Sequence, residues 1–250
     1  DCALLMNVIA GYDANDPISA NLPVPDYLSV LDGDVKGMRI GVIKEIMEAD
    51  HLHPEVQARV AEALRRFEGL GAIVEEVSLP MIKLTNIISG TGGSDRTALQ
   101  WKNLMENPHQ YDVASRRFNL LPGLIPGSIY QRTLQLRSLY RRQVLDACER
   151  YDILVTPSQP TPPPSIADTK KPLLSREQAM NDLKAFSFSN AAAIAGIPAI
   201  SVPCGFTGDG LPVGLQIMAK RYDEETVFRA AFAYEQNTSW HTMRPPVGDN

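Results

Sequence analysis

The strongest constraint on the fold is a short apolar run, an amphipathic stretch and a second apolar run, placed one after another. MRIGVI (residues 38–43) and AIVEEVSL (residues 72–79) have the β-branched content of buried strands. Between them, apolar residues recur at helical spacing after Pro54, and Gly71 closes the helix. A strand, a helix and a strand connected in this way form a right-handed unit with parallel strands. The pattern therefore predicts an α/β fold.

The first ten residues predict a helix whose apolar face is buried. The residues that form this face are Ala3, Leu4, Leu5, Val8 and Ile9. The sequence has no initiator Met before them. We interpret the chain as a fragment of a longer polypeptide that begins in or beside a buried helix.

Further elements follow the β-α-β unit. Trp101, Leu104 and Met105 suggest a helix in a stretch that is otherwise hard to assign. A helix is predicted over 128–150, with arginines off one face that is formed by Ile129, Leu136, Tyr140, Val144 and Cys148. A strand over 152–157, a proline-rich loop and a helix over 175–185 follow. The remaining predictions are strands over 199–205 and 210–219 with a turn at Asp209-Gly210, and a last helix that is capped by Asp223 and turns Val227, Phe228, Ala231 and Tyr234 inward.

Composition excludes several classes of function. The net charge is −5 without a dense Lys/Arg run, which argues against a nucleic-acid groove or a membrane-surface patch. We also find no apolar run of the ~18 residues that a membrane-spanning helix needs. Three widely spaced cysteines predict reduced thiols in a cytoplasmic protein.

Candidate chemistry is sparse, and each candidate has a structural alternative. His51 and His53 have a metal-like spacing, but exposed polar residues are the better interpretation. Cys204 lies in an apolar strand, where a structural thiol is expected. Asp95 and His109 do not have a spacing that requires a triad. We predict neither a metal nor a cofactor.

The stretch SGTGGSDRTA (residues 89–98) is the part of the sequence that most resembles an active site. Glycine-rich backbone around a serine is what an oxyanion hole and a serine nucleophile need. A base with a suitable spacing is missing, so we do not assign catalysis to Ser94. The residues alone thus predict an α/β protein without a convincing catalytic centre.

Several blocks resemble the amidase signature family. FSNAAAIAGIPAISVPCGF and GLPVGLQIM are similar to that family's Phe-Thr-x-Pro-x-Asn-x-x-Gly-x-Pro-Ala motif, its Val-Pro-Cys-Gly strand and its Gly-Leu-Pro-x-Gly-Leu-Gln strand. DCALLMNVIAGYDANDP, VKGMRIGVIKE, GAIVEEVSLP and YDILVTPSQPTPPP resemble other family segments in the same order. The similarity covers nearly the whole chain.

The resemblance implies a fold and a division of the catalytic machinery. It implies part of a large mixed β-sheet flanked by helices on both faces, with residues 1–250 as the C-terminal part of a single amidase domain. The family's Ser–cis-Ser–Lys triad hydrolyses amides and precedes Asp1 in the family order. GTGGSDR is similar to the stretch around the relay serine, but it follows the β-α-β unit, so we interpret that similarity as coincidence. The chain alone is therefore expected to be inactive.

The resemblance also implies substrate-binding positions. In glutamine-using members an acidic residue lies where this chain has Phe186, and Arg117 is the counterpart of an arginine that binds the glutamine carboxylate. The motif places Ala193 and Ile194 in the pocket. Because an aromatic ring cannot form the salt bridge that a carboxylate forms with an ammonium group, a stand-alone amidase for an uncharged, aryl or alkyl acyl group fits better.

Three functions stay open. The first is a small-molecule amidohydrolase that needs the missing N-terminal half of its domain as a partner. The second is the A subunit of a glutamine-dependent tRNA amidotransferase. The third is a non-catalytic scaffold. A homodimer is a common assembly in the resembled family.

Overall fold

A computed structural model of the chain describes residues 1–169 and 187–244. The strands are β1 (Arg39–Ile43), β2 (Ile73–Val77), β3 (Ile153–Pro157), β4 (Ala199–Phe206) and β5 (Pro212–Ala219). The helices are α1 (Cys2–Ile9), α2 (Lys44–Met47), α3 (Pro54–Gly69), α4 (Thr85–Glu106), α5 (Val113–Leu120), α6 (Gly127–Cys148), α7 (Ile166–Thr169), α8 (Ser187–Ala195) and α9 (Glu224–Gln236). The helix predicted over 175–185 lies outside the described residues.

The strands form one mixed sheet in the order β2-β1-β3-β5-β4. β1 pairs in parallel with β2 and β3, while β5 pairs antiparallel with β3 and β4. All five residues of β3 are buried. Because successive side chains of a strand point to opposite faces, both faces of the sheet are covered at its centre. The predicted α/β class and the mixed sheet are confirmed.

Local signals explain how the β-α-β unit forms. His53 caps α3, since its Nδ1 accepts a hydrogen bond from the backbone N–H of Glu55 at 3.3 Å, and Pro54 occupies the first helical position. In β1, a Cβ on Gly41 would lie 2.8 Å from Leu154 Cδ2. Glycine at this position therefore leaves room for the side chains of Leu154 and Tyr151.

The C-terminal elements follow the predicted pattern. The turn between β4 and β5 contains Gly210 in the left-handed region at φ +76°, as the Asp-Gly signal indicates. Asp223 accepts a hydrogen bond from the backbone N–H of Thr226 at 3.3 Å and so caps α9. The four residues predicted to face inward from α9 are all buried: Val227, Phe228, Ala231 and Tyr234.

The predicted burial of α1 is wrong for this chain. The helix forms, but of its predicted apolar face only Ala3 is buried, beside Tyr27 and Phe228. The exposed members of that face are Leu4, Leu5, Val8 and Ile9. The reason is geometric: α1 packs against the small Tyr27–Phe228 cluster through one side, and its other side faces solvent.

Two further expectations need correction. Ile129 of α6 is exposed, although Tyr140, Val144 and Cys148 on the same predicted face are buried. His51 and His53 are half-buried rather than exposed, because His53 caps α3 and the ring of His51 lies 5.5 Å from that of Phe188. Within residues 1–169 and 187–244, no helix is long and apolar enough to cross a membrane.

Candidate functional site

Helix α8 contributes to the lining of two cavities and contains two of the predicted site residues. Phe188, near its first turn, is buried and lines a cavity at the ends of β1 and β2. Asn190, Ala193 and Ile194 line a second cavity, which lies between α4, α6 and α8. We call these the strand-end cavity and the α4–α6–α8 cavity.

Side chains of α6 hold α8 in place through its backbone carbonyls. Arg137 Nε donates to Ile194 O at 3.2 Å, and Arg141 Nε donates to Ala195 O at 3.0 Å. These carbonyls belong to the last turn of α8, where intrahelical donors run out and the helix dipole is negative. The two guanidinium groups therefore satisfy acceptors that α8 cannot satisfy alone.

Glycine and tyrosine complete the anchoring of α8. Gly196 adopts φ +69°, and its N–H bonds to Ala192 O at 2.8 Å, which ends the helix in the left-handed manner that glycine permits. The buried hydroxyl of Tyr140 donates to Ala191 O at 3.1 Å. Burial raises the pKa of Tyr140 well above its usual range, so this hydroxyl stays a donor.

The α4–α6–α8 cavity has a volume of about 270 Å³. Its apolar walls include Ile88, Leu134 and Ile194. Its charged lining residues are Asp95, Arg96 and Arg137. The cavity opens to solvent, since several of its lining residues are exposed, among them Gly92, Asp95, Arg137 and Ala193. Apolar walls combined with a few fixed polar groups are common in small-molecule sites.

Glycines in the middle of α4 create room on this side of the helix. A Cβ on Gly93 would lie 2.7 Å from Pro122 Cγ, so only glycine permits that contact. Gly92 also lines the cavity, but a Cβ there would meet nothing within 4 Å. Glycine within a helix costs up to about 1 kcal/mol relative to alanine. At Gly92 the missing side chain leaves space in the cavity, and the helix is less stable for it.

Hydrogen bonds fix the charged groups of the cavity. Tyr130 Oη donates to Asp95 Oδ1 at 2.7 Å, and this hydrogen bond raises the pKa of Tyr130. The Arg96 guanidinium lies 3.8 Å from the ring centroid of Phe118 and donates to Phe118 O at 3.2 Å. The Nε of Arg96 is buried without a hydrogen-bond partner among the described residues. The charged lining thus consists of two guanidinium groups and one carboxylate.

The strand-end cavity is larger, at about 680 Å³, and lies beside the carboxyl ends of β1 and β2. Glu45 connects these strand ends by accepting hydrogen bonds from Ser78 Oγ at 2.5 Å and from Leu79 N at 2.8 Å. Burial alone would raise the pKa of Glu45, but the two hydrogen bonds lower it below its ordinary value. This carboxylate is therefore a structural acceptor.

The structure brings together two of the four predicted site residues. Ala193 and Ile194 both line the α4–α6–α8 cavity. Arg117 lies on α5, is exposed and does not line that cavity. Phe186 lies outside the described residues. The assignment of all four to substrate binding stays a prediction.

Sequence reasoning missed Arg137, Arg96 and Gly92 as lining residues. Arg137 belongs to a set of arginines that lie off the apolar face of α6, and this position was a usable signal. Gly92 and Arg96 lie in the glycine-rich stretch 89–98, which is part of helix α4. There Ser94 Oγ donates to Pro122 O at 2.8 Å.

The arrangement defines an α/β protein with a mixed sheet and a small, charged pocket between three helices. The family model described as Amidase matches residues 1–228. The chain therefore belongs to the amidase family, and the resemblance to the amidase signature enzymes is confirmed.

Individual relatives support this membership. The chain is 37% identical to the A subunit of the glutamyl-tRNA(Gln) amidotransferase of Methanosarcina mazei, over 98% of this chain and 55% of that protein. The crystal structure of the corresponding A subunit from Thermotoga maritima is 30% identical, with a TM-score of 0.74, over 94% of this chain and 50% of that one. The chain thus spans about half the length of the relatives it matches.

A third solved structure resembles the chain in fold alone. The 6-aminohexanoate cyclic dimer hydrolase in complex with its substrate has a TM-score of 0.82 at 21% identity, over 98% of this chain and 54% of that one.

Proposed function

We propose that this chain forms part of an enzyme that hydrolyses amide C–N bonds, with the α4–α6–α8 cavity as its substrate pocket. The observation that supports this most strongly is the position of Ala193 and Ile194. They belong to the segment that resembles the family motif, and both line the cavity. Membership of the amidase family supports the reaction class.

The catalytic triad, in this proposal, is supplied by polypeptide N-terminal to Asp1. The resemblance implies that one serine attacks the carbonyl, a second serine relays its proton and a lysine is the final base. The relatives are about twice as long as the matched region, so they have room for such residues elsewhere. Residues 1–250 would then position the substrate.

The charged lining of the cavity revises the expected substrate. An entirely uncharged acyl group would leave Arg96 and Arg137 without anionic partners from the ligand. Ile88, Leu134 and Ile194 favour an aliphatic stem, while the guanidinium groups favour a polar end. We therefore propose a short acyl chain that is apolar near the amide and polar at its far end.

A second candidate is the A subunit of a tRNA amidotransferase. The sequence identity of 37% to one such protein over almost the whole chain favours it. Phe186 argues against it, because this aromatic residue replaces the acidic residue by which glutamine-using members recognise their substrate. In this candidate the protein would work in a complex with other subunits.

Activity assays test these proposals. We expect the 250-residue chain to give no turnover with a panel of aliphatic and aryl amides. We expect the longer polypeptide that carries the chain to hydrolyse some of them. Hydrolysis by the 250-residue chain that disappears in Ser94→Ala would contradict the proposal that the catalytic residues lie outside residues 1–250.

The same assays separate the other candidates. Glutamine hydrolysis by the longer polypeptide that exceeds all other amide hydrolysis would favour the amidotransferase. If the longer polypeptide hydrolyses neither glutamine nor any amide of the panel, the chain would be a non-catalytic scaffold, and both enzymatic proposals would fail.

A further inference from the structure

We infer that the α4–α6–α8 cavity selects an acyl chain whose far end is a carboxylate, with Arg137 as the main binding residue. This inference rests on the proposed function, because it names the substrate class of the same pocket. It assigns the carboxylate to Arg137 rather than to Arg117, which lies on α5 outside the lining of this cavity.

The orientation of Arg137 is the first argument. Its Nε donates to Ile194 O at 3.2 Å, so one edge of the planar guanidinium is fixed against the end of α8. That bond leaves the Nη groups for a ligand. A planar fork with its orientation already fixed loses less conformational freedom when it binds a carboxylate through two hydrogen bonds.

The donor and acceptor balance is the second argument. Arg96 also lines the cavity, and its buried Nε has no hydrogen-bond partner among the described residues. A buried donor without a partner destabilises the protein, and an acceptor on a ligand that reaches this donor would remove that cost. Asp95 already accepts a hydrogen bond from Tyr130. The charged lining thus consists of two guanidinium groups and one carboxylate, and a ligand with a negatively charged end complements it better than a neutral one.

The size of the cavity limits the chain length. About 270 Å³ corresponds to roughly nine water molecules at their liquid volume. A chain of a few methylene groups with a terminal carboxylate fits this space, and its stem would contact Leu134 and Ile194. Glutaramate, which has a carboxylate at one end and an amide at the other, is a suitable probe.

Ligand-observed saturation-transfer NMR on the full chain tests the inference without any need for turnover. We expect glutaramate to bind at least about ten-fold more tightly than glutaramide, its neutral diamide, because charge-assisted hydrogen bonds are the stronger ones. Equal affinity for the two compounds would overturn the inference. Acetate binding as tight as glutaramate binding would overturn it too, since acetate lacks the stem.

Arg141 provides a matched control for Arg137. Both donate from Nε to a carbonyl in the last turn of α8, but only Arg137 lines the cavity. Arg137→Gln should weaken glutaramate binding by about ten-fold or more, whereas Arg141→Gln should leave it within about two-fold. Equal losses in the two variants would mean that the effect comes from the anchoring of α8, and the inference would be wrong.

A second variant keeps the inference testable if Arg137→Gln does not fold. If Arg137→Gln loses its cooperative thermal transition, Arg137→Lys keeps the charge and removes the planar fork. We expect Arg137→Lys to bind glutaramate more weakly than the wild type but to prefer it over glutaramide. Unchanged affinity would contradict a two-bond contact.

The outcome is separable from that of the proposed function. Glutaramate binding that depends on Arg137, in a protein whose longer form hydrolyses no amide, would keep the inferred binding specificity and reject the proposed reaction. Amide hydrolysis without a preference for carboxylate-ended substrates would support the proposed reaction and reject the inferred binding specificity.

Discussion

At the scale of single residues, burial sets the reactivity of the cysteines. Cys148 and Cys204 are buried free thiols, and Cys2 is an exposed one. Burial raises the pKa of Cys148 to about 11 and that of Cys204 to about 12. Since the thiolate is the nucleophile, neither buried thiol is activated at neutral pH. Cys204 therefore has the properties of a structural residue.

This difference predicts the result of a thiol titration. In the folded chain at pH 7, Cys2 should react rapidly with Ellman's reagent, while Cys148 and Cys204 should react only on unfolding. Cys2→Ser is the control and should remove the rapid phase. A rapid phase that persists in Cys2→Ser would contradict the burial of the other two thiols.

The lowered pKa of Glu45 predicts a pH-dependent stability. A carboxyl whose pKa is lower in the folded state stabilises the fold above its ordinary pKa of 4.5, and that contribution is lost as pH falls through the folded-state value. Glu45→Gln should therefore lower the unfolding midpoint in urea at pH 7, and its difference from wild type should shrink in acid. A difference that grows as pH falls would contradict this assignment.

At the scale of elements, side chains rather than intrinsic propensity hold α8 in place. Its sequence is rich in small apolar residues, and three α6 side chains bond to its carbonyl groups: Arg137, Tyr140 and Arg141. An anchored helix of this kind keeps the motif segment at a fixed position beside the cavity. Positioning of this precision is what a substrate pocket requires.

The buried hydroxyl of Tyr140 gives a quantitative test of this anchoring. Tyr140→Phe should lower the free energy of unfolding by about 1 kcal/mol, because the carbonyl of Ala191 would lose a buried partner. Tyr130→Phe removes a hydroxyl whose bond to Asp95 is solvent-exposed and should cost less. Urea denaturation measures both, and the reverse order of costs would contradict the anchoring.

Regular patterns explain which elements could be predicted from the sequence. The β-α-β unit, the hairpin at Gly210 and α9 have periodicity, turn and cap signals that act locally, and the structure confirms them. By contrast, residues 191–195 of α8 are alanines apart from Ile194 and show no periodic face. The length of α4 was hidden by Gly90, Gly92 and Gly93, because glycine has a low helix propensity and so obscures a helical pattern in the sequence.

The candidate site was predictable only in part for a related reason. The resemblance led to Ala193 and Ile194, since these lie in one continuous motif. The pocket itself is made where α4 and α6 meet α8, and contacts between residues so distant in sequence leave no local pattern. Gly92 therefore emerges only from the three-dimensional arrangement, and for Arg137 the sequence indicates no more than a position off the apolar face of α6.

At the scale of the whole molecule, exposed apolar surface is the main feature that needs a partner. α1 presents Leu4, Leu5, Val8 and Ile9 to solvent. β4 lies at one edge of the sheet. Contiguous apolar surface and unpaired strand edges promote association between chains. The proposed N-terminal half of the domain is one occupant of this surface, and a second copy of the chain is another.

We therefore predict that the isolated chain self-associates. Sedimentation velocity should show concentration-dependent species, and replacing Leu5 and Ile9 by glutamate should reduce them. Replacing Gln131 and Gln135 by glutamate is the control, because these exposed residues of α6 are also four positions apart and the change adds the same charge without removing apolar surface. A monomeric, cooperatively melting sample of residues 1–250 would contradict this prediction.

The most direct test of the central claim compares two glycines of α4. Gly92→Ala and Gly90→Ala each replace a helical glycine at a position where a Cβ would meet nothing within 4 Å, but only Gly92 lines the cavity. The effects of the two substitutions on helix stability should therefore be similar.

The measurement is kcat/KM for carboxylate-ended amides in the longer polypeptide that hydrolyses them. If the α4–α6–α8 cavity is the substrate pocket, Gly92→Ala should lower kcat/KM by about ten-fold or more, as one added methyl group in a fitted pocket does, and Gly90→Ala should leave it within about two-fold. Equal kcat/KM in the two variants would contradict the assignment of the pocket.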